Sequence, residues 1–150
     1  MPKELPKILI VDASILFSFF MKHSTRRKMV EELSEFGCKL ISPKFVFKEL
    51  SDKRERIKKF GELNELAFAF LFSLLDRKIE SFSDEVYNKF LPDANKISPH
   101  GKDVTKDDPY FALALALNCA VWSDEKAFKK QSKVKVFTTS ELLKELGLKK

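Results

Sequence analysis

The apolar positions of this chain gather into short unbroken runs separated by amphipathic stretches. The sharpest run, Ile8-Leu9-Ile10-Val11, ends abruptly at Asp12. Four apolar, mostly β-branched residues in a row predict a strand buried on both faces, the state of a central parallel strand. Lys39–Ser42, Ile79–Phe82, Ala120–Trp122 and Val134–Phe137 are the other predicted strands. Between them the pattern turns helical. Ser14–Met21 predicts a short buried helix, and Ser24 or Thr25 caps a second one that runs to about Phe36 and stops at Gly37. Pro43 opens a third in its first turn, through Leu50, and Phe60–Leu75 predicts a long fourth. Ser83 precedes an acidic first turn and a helix to Phe90, Asp107-Asp108-Pro109 opens a helix through Leu117, and Thr138 or Thr139 caps a last one over Ser140–Leu146. Ser51–Lys59 reads as a charged connector or helix start, Lys126–Lys130 as a helical turn, and Pro92–Lys106 as a long loop, either a flexible segment or a substrate lid.

Helices alternating with short apolar strands predict an α/β fold, a three-layer α/β/α sandwich around a mostly parallel, roughly five-stranded sheet. At 150 residues the chain is expected to form one domain over residues 1–150. The segment Leu66-Ala-Phe-Ala-Phe-Leu-Phe72 is apolar on every side, so it serves the core, a subunit interface around Phe68 to Phe72, or both.

Composition narrows the class. Fifteen Phe against two Tyr and one Trp imply a bulky aromatic core. The formal charge of +6 favours a polyanionic partner, and the basic turn Lys22 to Lys28 is one place for phosphate contacts. No run is long enough to cross a membrane, so a membrane protein is not expected. Cys38 and Cys119 have no metal-type spacing and read as buried reduced thiols of a cytoplasmic protein. Zinc sites and phosphate-binding glycine loops are absent, and His23 reads as a surface residue.

The candidate chemistry is carboxylate. Asp12 follows the carboxyl end of the first strand, where ligand crevices of open α/β sheets lie. Asp107 and Asp108 stand at a helix start, and one acid more than a cap needs. Asp124 and Glu125 follow the fourth strand. Glu49 shares a helix face with Phe45, Val46 and Leu50, where a carboxylate is costly unless paired, protonated or bound to a cation. Acids gathered at one sheet end repel unless a cation sits among them, and oxygen-only ligands select hard ions, Mg²⁺ or Mn²⁺. Such an ion activates water and neutralises charge in phosphoryl chemistry, which suits a nucleic-acid substrate.

On these residues the chain resembles the PIN-domain nucleases over essentially its whole length. Asp12-Ala13-Ser14 matches the family's first Asp, and Pro43 to Glu49-Leu50 is similar to its second acidic motif with one extra position. Asp107-Asp108-Pro-Tyr-Phe-Ala-Leu-Ala-Leu115 looks like the acid that opens its Ala-rich helix. Ser123-Asp-Glu-Lys-Ala-Phe128 matches the last cluster, with Glu125 where Asp is commoner. The resemblance implies Asp12, Glu49, Asp107 and Glu125 as the metal-centred acids, with Asp108 and Asp124 as alternatives for the third and fourth places. It implies Ser14 and Ser123 as hydroxyls that orient water or carboxylates. It further implies hydrolysis of RNA phosphodiester bonds with Mg²⁺ or Mn²⁺, as a toxin with a small protein antitoxin or as an RNA-processing nuclease, in a homodimer or higher homo-oligomer. A catalytically weak RNA-binding or scaffold module on the same fold is the alternative.

Two other families share the opening strand and fail at specific residues. A receiver domain needs a second acid after Asp12, where Ala13 stands, and an acceptor Asp ending a middle strand, where neither Ser42 nor Phe82 provides one. A haloacid-dehalogenase-type phosphatase needs Asp at position 14, which is Ser.

Overall fold

The structure is a computed structural model and describes residues 5–99 and 107–147. Five strands form one sheet: β1 (Ile8–Val11), β2 (Lys39–Pro43), β3 (Glu80–Phe82), β4 (Ala120–Trp122) and β5 (Val136–Phe137). Their spatial order is β3-β2-β1-β4-β5, and every pairing is parallel. β1 is therefore central. Leu9, Ile10 and Val11 are fully buried, as the unbroken apolar run requires. The chain first builds outward from β1 through β2 to β3, then crosses back and builds through β4 to β5. The order reverses between β1 and β4, so a crevice opens at their carboxyl ends.

Eight α-helices accompany the sheet among the described residues: α1 (Ala13–Ser18), α2 (Thr25–Glu35), α3 (Phe45–Asp52), α4 (Arg54–Gly61), α5 (Glu65–Lys78), α6 (Leu91–Ile97), α7 (Asp108–Leu117) and α8 (Thr139–Glu145). The architecture is that of an α/β/α sandwich. Caps set several boundaries. Ser24 Oγ accepts the Arg27 N–H at the head of α2, and Thr138 and Glu141 form a reciprocal capping box at α8. The Phe-rich core is real: Phe19, Phe20, Phe111 and Phe128 are essentially fully buried, and Phe20 stacks on Phe68 at 5.3 Å between ring centres.

Several boundaries differ from expectation. Pro43 ends β2, opposite Phe82 of β3, and α3 starts only at Phe45. The charged connector is helical, divided between the end of α3 and α4. The long helix expected over Phe60–Leu75 is broken, with Phe60 in α4 and α5 starting at Glu65. The break has local causes. Glu62 adopts the left-handed conformation, and Asn64 caps α5 by accepting the Ala67 N–H. Gly61 is demanded by close approach, since a Cβ there would lie 2.5 Å from the Phe20 carbonyl oxygen. Ser83–Phe90 forms two short 3-10 turns rather than a helix, and the Ser83 side chain makes no capping bond. Leu91–Ile97 is helical with Pro92 in its first turn, so the expected loop begins later; residues 100–106 of it lie outside the described residues. Cys38 is buried as expected and Cys119 half-buried; burial pushes their thiols up to about 12 and about 11. No helix of the described residues is long and apolar enough to cross a membrane.

Candidate active site

One cavity of about 760 Å³ sits at the carboxyl ends of β1 and β4. Asp12, Glu49, Asp107 and Glu125 all line it, each delivered by a different part of the fold.

Asp12 is the fixed point. It leaves the end of β1, where its own N–H donates to the Trp122 carbonyl of β4 at 3.2 Å. Its side chain also caps α1: Oδ1 accepts the Ile15 N–H at 3.0 Å and the Ser14 hydroxyl at 2.9 Å. One side chain thus both caps α1 and lines the cavity. Only 4% of Asp12 is exposed, and burial raises its carboxyl above the ordinary Asp value. The Ser123 hydroxyl, the Ile15 N–H and the Ser14 hydroxyl pull it back in part, and the charge of Glu125 adds to the rise.

Glu49 projects from α3, half-buried, with Lys53 one turn on at 3.8 Å. That pairing satisfies an acid on an otherwise apolar face. Asp107 stands at the head of α7, makes no side-chain capping bond, and lines the cavity instead. Glu125 follows β4 and is exposed, and its N–H donates to Ser123 Oγ at 3.1 Å. Ser14 lines the cavity and Ser123 is fully buried beneath it.

The two alternatives among the acids go elsewhere. Asp124 turns away from the cavity and ties β4 to two helices. It accepts the Thr139 N–H at 2.7 Å and the Thr139 hydroxyl at 2.6 Å, and it pairs with Arg26 of α2 at 2.6 Å. Burial works to raise its carboxyl, but the two Thr139 bonds and the Arg26 guanidinium together hold it below the ordinary value. Asp108 points back into the protein, is 3% exposed, and accepts from Asn95 Nδ2 of α6 at 2.9 Å. The basic turn is also partly committed to structure, because Arg26 serves Asp124 and Arg27 donates to the Phe19 carbonyl.

The sequence reading overlooked Tyr110. It is buried on α7, one turn after Asp107, and its hydroxyl oxygen accepts the Ala13 N–H at 3.0 Å. Burial lifts its hydroxyl well above the ordinary tyrosine value, and the charges of Asp12, Glu49 and Asp107 lift it further. The ring thus stands among three of the four acids as a neutral hydrogen-bonding group. The i, i+3 spacing from Asp107 is the signal that points to it. Lys53, Arg56 and Phe60, which also line the cavity, were likewise not singled out.

A family model described as a PIN domain matches residues 10–147. The chain belongs to the PIN-domain family. A search of curated proteins finds no match. PIN domains are generally nucleases, and this PIN domain keeps four acids around the crevice where its sheet order reverses. The donor set is all oxygen, which fits a hard divalent ion. Among the described residues, however, no three His, Cys, Asp or Glu side chains are gathered closely enough to form a ready metal-binding group. Asp12 is held by its capping bonds. Glu49 is half-buried and Glu125 exposed.

Proposed function

We propose that this PIN domain is a metal-dependent endoribonuclease that hydrolyses RNA phosphodiester bonds at the Asp12 cavity. The observation that carries this reading is the convergence of Asp12, Glu49, Asp107 and Glu125 on one cavity from four separate segments. Their oxygen atoms would hold Mg²⁺ or Mn²⁺, and such an ion, when bound, lowers the pKa of water and offsets charge developing on the phosphate. The chain's own residues have separate tasks. Asp12 supplies a pre-oriented carboxylate, held by Ser14 and the Ile15 N–H. Ser123 supports Asp12 and holds the Glu125 backbone. Glu125, the most exposed of the four, would take a proton from an attacking water. Tyr110 keeps the start of α1 in register with α7 through the Ala13 N–H.

A homo-oligomer belongs to the same proposal, since Leu66 and Phe70 of α5 are 79% and 63% exposed and present an apolar face. Two free thiols fit a reducing, cytoplasmic setting. A small protein antitoxin is the partner expected if the nuclease acts as a toxin. One observation favours the weaker alternative, an RNA-binding or scaffold module: the Lys53 ammonium already balances Glu49.

The test is cleavage of a labelled single-stranded RNA with Mn²⁺, Mg²⁺ or EDTA, for the wild type and Asp12→Asn. The expected result is cleavage that needs the ion and falls by on the order of 10²–10³-fold in the variant. RNA binding without cleavage under any ion would transfer the assignment to the scaffold module.

A further inference from the structure

The wall of the cavity formed by α3 and α4 carries, beyond Glu49, residues that the acid site does not use. Glu49, Lys53, Arg56 and Phe60 are spaced four, three and four apart and all line the cavity. That spacing places them along one face. Lys53 is the single residue between α3 and α4, so the face continues from one helix to the next. Read from the acid site outward, it passes from a carboxylate through two cations to an aromatic ring.

The outer end is unusual. Phe60 is 64% exposed although the chain has ample core to hide a Phe. Its place is fixed rather than frayed, because Gly61 packs against the Phe20 carbonyl and Glu62 turns the chain immediately afterwards. Of the other cations of α4, Arg54 and Lys58 both pair with Glu65 of α5, and Lys59 does not line the cavity. Arg56 makes no ion pair among the described residues and points at the cavity. Phe17 and Met21, following β1, add apolar surface to the same lining.

We propose that Phe60 and Arg56 form a nucleotide subsite at the cavity mouth, in which Phe60 stacks on an unpaired base and Arg56 pairs with a backbone phosphate of the same single strand. An aromatic face beside a cation is the common means of holding unpaired nucleic acid, because every base has a π-face and every linkage a charge. A base in a duplex is stacked on both sides and cannot be taken by Phe60 without unpairing. The subsite therefore selects single-stranded over double-stranded RNA. This inference rests on the RNase reading for its polynucleotide, while its residues lie outside the four acids.

Fluorescence anisotropy with a labelled single-stranded RNA, run in EDTA and again with Mg²⁺ at several salt concentrations, separates the two ideas. Phe60→Ala is expected to weaken binding by roughly 5- to 150-fold, the range for losing one base–aromatic stack. It should do so much less on the same strand carrying abasic positions, and not on a duplex. Arg56→Gln is expected to reduce the salt slope of log K by about 0.7. Phe60→Trp should retain affinity and show quenched indole emission on binding, against a Trp122 that is fully buried. Binding without cleavage would sink the nuclease and leave the subsite standing. The subsite is overturned if the wild type binds in neither condition or if Phe60→Ala binds the strand as the wild type does. It is equally overturned if Arg56→Gln keeps the full salt slope, or if Phe60→Ala changes only the oligomeric state.

Discussion

Asp124 and Glu125 are adjacent in sequence, and the structure gives them opposite work. Asp124→Ala is expected to damage the fold and spare the chemistry. The carboxylate accepts two bonds from Thr139 and one ion pair from Arg26, with about a third of its side chain open to water. Each hydrogen bond to a charged group is worth roughly 1.5–3 kcal/mol, and partial exposure lets water replace some of that. Removal also leaves the Thr139 N–H and hydroxyl seeking partners, although the hydroxyl still accepts from Trp122 Nε1. The net loss works out at about 2–4 kcal/mol, so melting should fall by roughly 5–15 °C for a chain of this length. The loss has a pH signature. Asp124 is depressed in the folded state, so its contribution is fully present above the unfolded Asp pKa of about 3.9 and is lost as pH falls through the lower folded value. Thermal melts of the wild type and Asp124→Ala should therefore differ by a constant amount from neutrality down to mildly acid pH and converge below it. Cleavage assayed well below the variant's melting temperature should stay within a few-fold of wild type, whereas Glu125→Ala should show the reverse pair of effects. An Asp124→Ala protein that melts normally but cannot cleave RNA would refute the assignment.

Asp12→Asn should lower cleavage by on the order of 10²–10³-fold and yet melt no lower than the wild type at neutral pH. Burial raises the Asp12 carboxyl, so its ionised form costs stability as pH rises from the unfolded Asp pKa of about 3.9 through the folded value, and the amide can still accept the capping bonds; calorimetry from acid pH up to neutrality checks that the variant's advantage grows with pH. Tyr110→Phe keeps the ring but strands the Ala13 N–H, and is expected to cost about 1 kcal/mol in denaturant melts and 10- to 100-fold in cleavage by loosening the Asp12 turn. Equal kcat and KM in Tyr110→Phe would remove Tyr110 from the positioning machinery. Gly61→Ala drives a Cβ to 2.5 Å from the Phe20 carbonyl and should destabilise by about 1–3 kcal/mol in urea unfolding, with unchanged stability counting against the close packing of α4 on the α1 segment.

Much of the sheet was legible because its signal is local. An apolar run such as Ile8–Val11 leaves few alternatives to a buried strand, and caps such as Ser24 and Thr138 mark helix starts through their own side chains. The same holds for the four acids, whose order and spacing identify the family before any contact is known. Where the chain's periodicity was ambiguous, tertiary context decided. Pro43 can open a helix or end a strand; pairing with Phe82 selected the strand. The helix expected over Phe60–Leu75 is divided by the left-handed Glu62 and the Asn64 cap, and packing holds Gly61 at the end of α4 against the Phe20 backbone.

The choice between neighbouring acids was beyond the sequence altogether. Asp107 and Asp108, or Asp124 and Glu125, differ by one position, which rotates a side chain by about 100° on a helix and reverses it on a strand. Spacing along the chain carries no information about which of those directions faces Arg26, Asn95 or the cavity. Those partners come from α2, α6 and the segments that line the cavity, and only the fold brings them together. Sequence therefore determined which chemistry the chain carries, through residue types and local periodicity. Tertiary structure decided which carboxylates reach the crevice, because that is set by long-range packing.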